Sequence, residues 1–399
     1  MQQKLTFVTK EQKKAVSGSA SCCGAAAAPD GSGSRDMARE LLCCPRADMN
    51  TPSWVVGAVP SPAGAVPQVT STWSASDAWG MVKSRTGAYR MRYAVPPGLY
   101  AIGEPGTGSD VFVTANYKLS FDILRRELRG LSAWVLVLDT KSINVWCAAG
   151  KGTFGTDELV KRIAESRLSD TVGHRRIIVP QLGAPGVNAA LVQKLTGFRV
   201  HFGPVAARDI PAYVQAGYRK TDAMRTLRFT MLDRLVLTPM EINPAMKKFP
   251  WFAAAVLLIF GLQPAGLLFR DAWSHGLPFL LLGLAAVLAG ALVTPVLLPF
   301  VPFRSFAVKG WITGMLTVLA LHLGAGLAVP GGRVVLAAAY LLFPAMSSYV
   351  ALQFTGSTTY TGMTGVRKEL RYALPVYLAA AGFSVVLLIA FKLREWGLA

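Results

Sequence analysis

The chain has 399 residues, 52% of them hydrophobic and 16% charged, with a formal net charge of +19 at pH 7. Soluble domains average about 25% charged residues, so the composition argues against an ordinary soluble enzyme. Residues 1–249 carry 32 Lys and Arg against 19 acids, and residues 250–399 carry nine against three. The second half is therefore apolar, and its few charges are mostly basic.

In chain order, MQQKLTFVTKEQKKAV holds no apolar run long enough for a signal peptide. The soluble half is expected in the cytoplasm, with thiols reduced. Residues 15–75 are rich in Ala, Gly, Ser and Pro without a sustained period and read as a flexible tail. Two vicinal thiol pairs, Cys22-Cys23 and Cys43-Cys44, lie there. They rule out a disulfide-dense scaffold, and soft thiols make them candidate soft-metal ligands, set against an incidental presence in a variable tail.

From about residue 80 strands and helices alternate. VFVTANY (111–117) reads as a strand, FDILRREL (121–128) as an amphipathic helix and AWVLVLD (133–139) as a buried strand. TDELVKRIAESRL (156–168) reads as a helix with Thr156 as N-cap and acids in its first turn. RRIIVPQL (175–182), AALVQKLTG (189–197) and RVHFGPV (199–205) continue as strand, helix and strand. The alternation predicts a Rossmann-like α/β domain with a mostly parallel sheet, whose ligands bind at the carboxyl ends of the strands.

Five apolar stretches follow, near 250–269, 277–301, 311–329, 334–354 and 374–391. Each approaches the roughly 20 residues that span a bilayer, which predicts an all-α transmembrane bundle of five helices. With the α/β domain inside, Lys247, Lys248, Arg304, Lys309, Arg367, Lys368 and Arg371 face the inner side; Arg270, Arg333, Lys392 and Arg394 face the outer side. This asymmetry predicts N-inside and C-outside in a cytoplasmic membrane. His322 is the clear ionisable residue within a stretch and reads as a packing residue rather than a proton relay. The expected domains are a tail over 1–78, a cytosolic domain over 79–240 and a transmembrane domain over 241–399. Positive-inside topology and anionic lipid account for much of the basic charge, and no groove-reading motif accompanies it, so no nucleic-acid partner is expected.

The stretch that carries chemistry is Ser142-Ile143-Asn144-Val145-Trp146-Cys147-Ala148-Ala149-Gly150-Lys151-Gly152. It reads as a loop between the strand near 133–139 and the helix near 156. A thiol ahead of a helix N-terminus is biased toward thiolate, and its small neighbours let a flat ligand approach the backbone. The pattern alone leaves two readings open, a metal ligand or nucleophile and a small buried hydrophobe.

The run NVWCAAGKG (144–152) resembles the signature of the HgcA family, the corrinoid proteins of microbial mercury methylation. TANYKLSFDILR (114–125), VPQLGAPGV (179–187) and FGPVAARDIP (202–211) also resemble family segments. The resemblance covers about residues 95–395. Its soluble part is similar to the corrinoid domain of the corrinoid iron–sulfur protein of acetyl-CoA synthesis. It implies a cytosolic corrinoid-binding domain joined to five membrane helices, a cobalamin-type cofactor, and Cys147 as catalytic residue and lower axial cobalt ligand. The helix at 156–168 is expected as the cap helix that follows it. Neither His174 nor His201 has an Asp two positions earlier, as the His-ligated corrinoid pattern requires. Expected cofactor contacts are Asn144, Val145, Trp146, Ala148, Ala149, Gly150, Lys151 and Gly152 around the thiol, with Gly183, Gly186, Gly203 and Pro204 in the strand-end loops.

The implied reaction moves a methyl group from methyl-cobalt(III) to inorganic mercury(II), giving methylmercury. A thiolate donor trans to the methyl favours transfer as a carbanion equivalent, after which two electrons must be restored. The sequence has no Cys cluster with iron–sulfur spacing, so the implied electron donor is a ferredoxin-like two-[4Fe-4S] partner of the HgcB type. It is expected to dock on a basic face near Lys151 and the 156–168 helix. The implied methyl source is methyltetrahydrofolate. The alternative is a corrinoid methyl carrier of one-carbon metabolism with a non-mercury acceptor. A third reading, a transporter or sensor with a cytosolic ligand domain, is disfavoured by the charge-poor membrane half.

Overall fold

The computed structural model describes residues 52–62, 64–327, 329, 331–358 and 363–398. The Cys22-Cys23 and Cys43-Cys44 pairs lie outside the described residues.

The strands are β1 (Val55–Ser61), β2 (Gly64–Val69), β3 (Gly98–Ile102), β4 (Val111–Ala115), β5 (Ala133–Leu138), β6 (Arg176–Val179) and β7 (Arg199–Phe202). They form one sheet in the order β1-β2-β3-β5-β4-β6-β7. β5, β4, β6 and β7 are parallel neighbours. β3 runs antiparallel to β5, and the β1–β2 hairpin joins through a parallel β2–β3 pair. The sheet is therefore mixed, with its parallel half carrying the strand ends that matter below.

Helices cover both faces, which is why β5 is an unbroken apolar run and β4 is apolar but for Thr114, both buried along their length. Successive side chains alternate between two cores. Trp134, Leu136 and Leu138 pack with Phe154, Leu159, Ile163 and Val192 on one face. Ala133, Val135 and Val137 pack with Phe121, Leu124, Ile210 and Tyr213 on the other. The helices of this layer are α1 (Ala75–Arg85), α2 (Lys118–Glu127), α3 (Val145–Lys151), α4 (Thr156–Glu165), α5 (Leu168–Thr171), α6 (Ala189–Thr196) and α7 (Ile210–Gln215).

Three local expectations change. Residues 55–69 and α1 belong to the α/β layer, not to a tail reaching residue 78. Valines recur in both strands, but Gly and Pro interrupt them, and order comes from the β1–β2 hairpin, the β2–β3 pair and Trp54, whose ring lies 5.4 Å from that of Phe121. Thr156 is not an N-cap: Gly155 holds that place, and the Thr156 hydroxyl accepts the Asn188 backbone N–H at 2.8 Å. Cys147 does not lie in a loop; it stands in the first turn of α3.

Short helices α8 (Asp222–Arg225) and α9 (Met231–Leu237) lead into α10 (Pro239–Gly261). Then come α11 (Phe269–Leu288), extended by a π-helical turn and α12 (Thr294–Val296), α13 (Phe306–Leu319), α14 (Gly332–Gln353) and α15 (Met363–Glu395). Four helical segments are long and apolar enough to cross a membrane: Phe269–Val296, Phe306–Gly324, Gly332–Ser357 and Thr364–Glu395. The run expected over 250–269 is helical only to Gly261. A two-stranded turn, Leu262–Gln263 with Gly266–Leu267, follows it, closed around Pro264. At one end of the bundle Glu369 accepts from Ser305 Oγ at 2.9 Å. At the other, Lys392 Nζ donates to Phe260 O and Glu395. His322 Nδ1 lies 3.3 Å from Leu327 O, a packing environment without a charged partner among the described residues.

Candidate functional site

The site begins where β4 and β5 end. Asn116, just past β4, reaches across to the loop after β5. Its Oδ1 accepts the backbone N–H groups of Thr140 at 3.1 Å and Ser142 at 3.0 Å, and lies 2.8 Å from Thr140 Oγ1. Lys141 and Ser142 both have left-handed backbones, with φ of 59° and 60°. Non-glycine residues hold that conformation at a cost, and the Asn116 amide supplies the bonds that stabilise it. Glu158 of α4 fixes the same loop by accepting the Asp139 N–H at 2.8 Å. The tight loop ends at Asn144, whose side chain caps α3 by accepting the Cys147 N–H at 2.9 Å.

α3 is short, so its orientation comes from what it packs on. Ala148 and Ala149 are buried in the core. Beneath them passes the turn 181–186, close enough that a Cβ on Gly186 would lie 2.1 Å from Phe154 O and 3.1 Å from Ala149 Cα. A Cβ on Gly183 would lie 2.5 Å from the Phe154 ring. Ala148, Ala149, Gly183 and Gly186 thus seat the helix rather than line an opening. Trp146 and Cys147 are half-buried, and Asn144, Gly150, Lys151 and Gly152 are exposed.

Beside α3 lies a cavity of about 250 Å³ at the carboxyl ends of β4, β6 and β7. Phe112, Leu124, Ile178, Leu182, Val205 and Ile210 give it apolar walls, Asn144, Val145 and Trp146 border it, and Gly203 and Pro204 line it after β7. Cys147 is one residue beyond this lining. Of the sequence-derived residues, the fold thus brings Asn144, Val145, Trp146, Gly203 and Pro204 to one cavity and sets Cys147 next to it.

Burial pushes the Cys147 thiol above its ordinary pKa, and Arg90, Lys151 and Asn144 pull it partly back. Burial thus acts against the expected bias toward thiolate. Arg90 comes from the 3₁₀ turn Ala88–Met91. Sequence reasoning missed it and Asn116, because neither is near Cys147 in the chain; the TANYKLSFDILR segment was the available signal for Asn116. Where a basic face near Lys151 and α4 is expected, Lys151 is exposed, and Lys161 and Arg162 of α4 are paired with Glu158 and Glu165 on the same helix.

Comparison with known proteins bears on this part of the chain. Residues 86–214 match the family model described as CO dehydrogenase/acetyl-CoA synthase delta subunit. The acetyl-CoA decarbonylase/synthase complex subunit gamma of Archaeoglobus fulgidus is 30% identical over 126 residues, which are 31% of this chain and 26% of that protein. The subunit gamma of Methanocaldococcus jannaschii is 36% identical over 97 residues, 24% and 20% of the two chains. Subunit gamma 2 of Methanosarcina thermophila is 31% identical over 133 residues, 32% and 28%. The chain spans about a quarter of the length of the curated relatives it matches.

Proposed function

We propose that the protein is a membrane-anchored, corrinoid-dependent methyltransferase whose methyl acceptor is mercury(II). The observation that carries the reading is the Asn144–Gly152 run, with Cys147 held in the first turn of a capped helix beside a strand-end cavity. The match of residues 86–214 to a family of acetyl-CoA-synthesising complexes supports the corrinoid part. The residues fit such a cofactor. The cavity is smaller than a corrin but suits a flat heteroaromatic substituent between Phe112, Ile178 and Trp146, and a Cβ at Gly203 would come 3.0 Å from Ile178 Cγ2. A bound corrinoid supplies a cobalt-borne methyl group for transfer.

The chain's own residues prepare the site. Asn144 fixes the turn that presents Cys147, which would hold the cobalt of the cofactor. Arg90 and Lys151 favour loss of the thiol proton against the cost of burial. Apolar walls keep water from the cavity. Cys147 would hold the cofactor's metal, and the electron density of a thiolate there would suit a soft acceptor such as mercury(II). The proposed partners are a two-[4Fe-4S] ferredoxin-like electron donor and a methyltetrahydrofolate-derived methyl donor. Cys22, Cys23, Cys43 and Cys44 are proposed to bind mercury on its way to the site.

The membrane part is proposed to have five spans with the α/β domain in the cytoplasm. α10 has 23 residues, about 34 Å at 1.5 Å per residue, enough to be the fifth span.

Protein loaded with corrinoid, given a methyl donor and mercury(II), is expected to form methylmercury. Cys147→Ala should retain much of the corrinoid, lose the sulfur-to-cobalt absorbance signature and lose nearly all product. Product at close to the parent rate from Cys147→Ala would overturn the assignment. The second reading, a one-carbon methyl carrier, draws on the relatives being acetyl-CoA decarbonylase/synthase subunits. Methyl loading without methylmercury would favour it.

A further inference from the structure

Where the α/β domain meets the first membrane helix, a second cavity of about 320 Å³ opens between the Ala88–Met91 turn and the start of α10. Gly87, Arg90, Met91, Met240, Asn243 and Lys247 line it, with Pro244. Two cations thus converge on a space that no carboxylate lines among the described residues. Among the described residues neither Arg90 nor Lys247 has an acidic group within ion-pair distance. Glu241 is near enough to feel Arg90 but accepts a hydrogen bond from Ser357 Oγ at 3.1 Å. The cavity is held in shape from both sides, because the Asn243 side-chain amide donates to Thr86 O.

Its level along α10 identifies the ligand. Counting back from Gly261 at 1.5 Å per residue, the roughly 30 Å apolar thickness of a bilayer is used up after about 20 residues. That places residues 240–242 at the membrane–water boundary and Lys247 about 8 Å inside it, from where a lysine side chain reaches back toward the headgroups. Tyr89 and Met91, both exposed, flank the mouth with surfaces suited to that boundary. Basic pockets at the inner ends of membrane helices take lipid phosphates.

We infer that Arg90 and Lys247 form a binding site for the phosphate of an anionic phospholipid, clamped between the α/β domain and α10. The inference rests on the membrane reading of the helical part but not on the identity of the methyl acceptor. A bound headgroup neutralises the two facing cations and ties the domain that carries Cys147 to the bilayer surface.

The test uses full-length protein, delipidated in mild detergent and titrated with phosphatidylglycerol or phosphatidylcholine under native mass spectrometry. Phosphatidylglycerol should bind preferentially. Arg90→Gln with Lys247→Gln should weaken it about thirtyfold, since each basic residue near an anionic surface contributes about fivefold. Arg90→Lys with Lys247→Arg, which keeps both charges, should retain it. Equal binding of the two lipids, or an undiminished preference in the double Gln variant, would overturn the site. Displacement by millimolar inorganic phosphate would assign it to free phosphate and overturn the lipid. Extraction of the protein from membranes by alkaline wash would sink the membrane reading itself. Retention without a lipid preference would sink only this site.

Discussion

Asn116 and Asp77 show how much single polar side chains contribute here. Asn116 Oδ1 serves two backbone donors in the strained loop that feeds α3. Asn116→Ala should therefore cost about 1–3 kcal/mol through unsatisfied groups and raise hydrogen exchange across residues 139–147. Asn116→Asp keeps the acceptor but loses the amide that donates to Asp139 Oδ1 at 3.3 Å and sets two carboxylates together, so it should not restore protection; equal exchange in all three proteins would refute the role. Asp77 belongs to a buried cluster: Lys118 lies 3.1 Å from Asp77 and 2.8 Å from Asp122, and Arg125 reaches both acids at 2.8 Å. Burial alone would raise the Asp77 carboxyl, but the Ser74 N–H, Arg125, the Ser74 hydroxyl and Lys118 outweigh it and hold it far below the ordinary carboxylate range. A folded-state pKa below the unfolded one stabilises above the ordinary carboxylate range, and that contribution is lost as pH falls. Asp77→Asn should cost about 3–5 kcal/mol, as one partner of a buried pair is removed. Its melting temperature should also lose part of the parent's decline between pH 5 and pH 3. An unchanged acid profile would show that the cluster does not set it.

α3 is the element on which the proposed function turns, and its seat is made by another element. The 181–186 turn can pass beneath it because Gly186 adds no side chain there. Gly186→Ala would push the two apart, at about 1–3 kcal/mol for overpacking. Because α3 borders the cavity, corrinoid retention should fall in the same variant, measured by absorbance after gel filtration. Wild-type retention with a lowered melting temperature would mean that the helix position does not govern cofactor binding. α4 is a contrasting case. Its charges are satisfied within the helix, so partner docking led by charge has no free cations there to use.

For the whole molecule the open question is the passage of the chain through the membrane. Helical segments of 28, 19, 26 and 32 residues meet the length and apolarity of a span. α10 combines an apolar second half with Lys247 and Lys248 in its first. With five spans and the α/β domain in the cytoplasm, a reporter fused after Ala399 should be active on the outer side. Activity on the cytoplasmic side would reduce the count to four and leave α10 on the surface. Basic residues at the near end, among them Arg304, Arg367, Lys368 and Arg371, agree with the first outcome.

The sequence by itself determined the elements whose signal is local. β4, β5 and β6 announce themselves because strands buried on both faces are mostly apolar runs, and the half-exposed β7 only through the strand–helix alternation. The apolar helices do so because a bilayer demands length. The rare Trp146-Cys147 pair singled out the site. Tertiary structure alone decided what depends on distant partners. β2 is ordered by pairing with the distant β3, and β1 by its hairpin with β2. α3 has seven residues, too few to show a helical repeat. Gly183 and Gly186 resemble ligand-loop glycines in sequence, but Phe154 and Ala149 make them packing positions. The apolar run after residue 250 continues past Gly261, but backbone geometry at Pro264 turns it back, which hydropathy does not register.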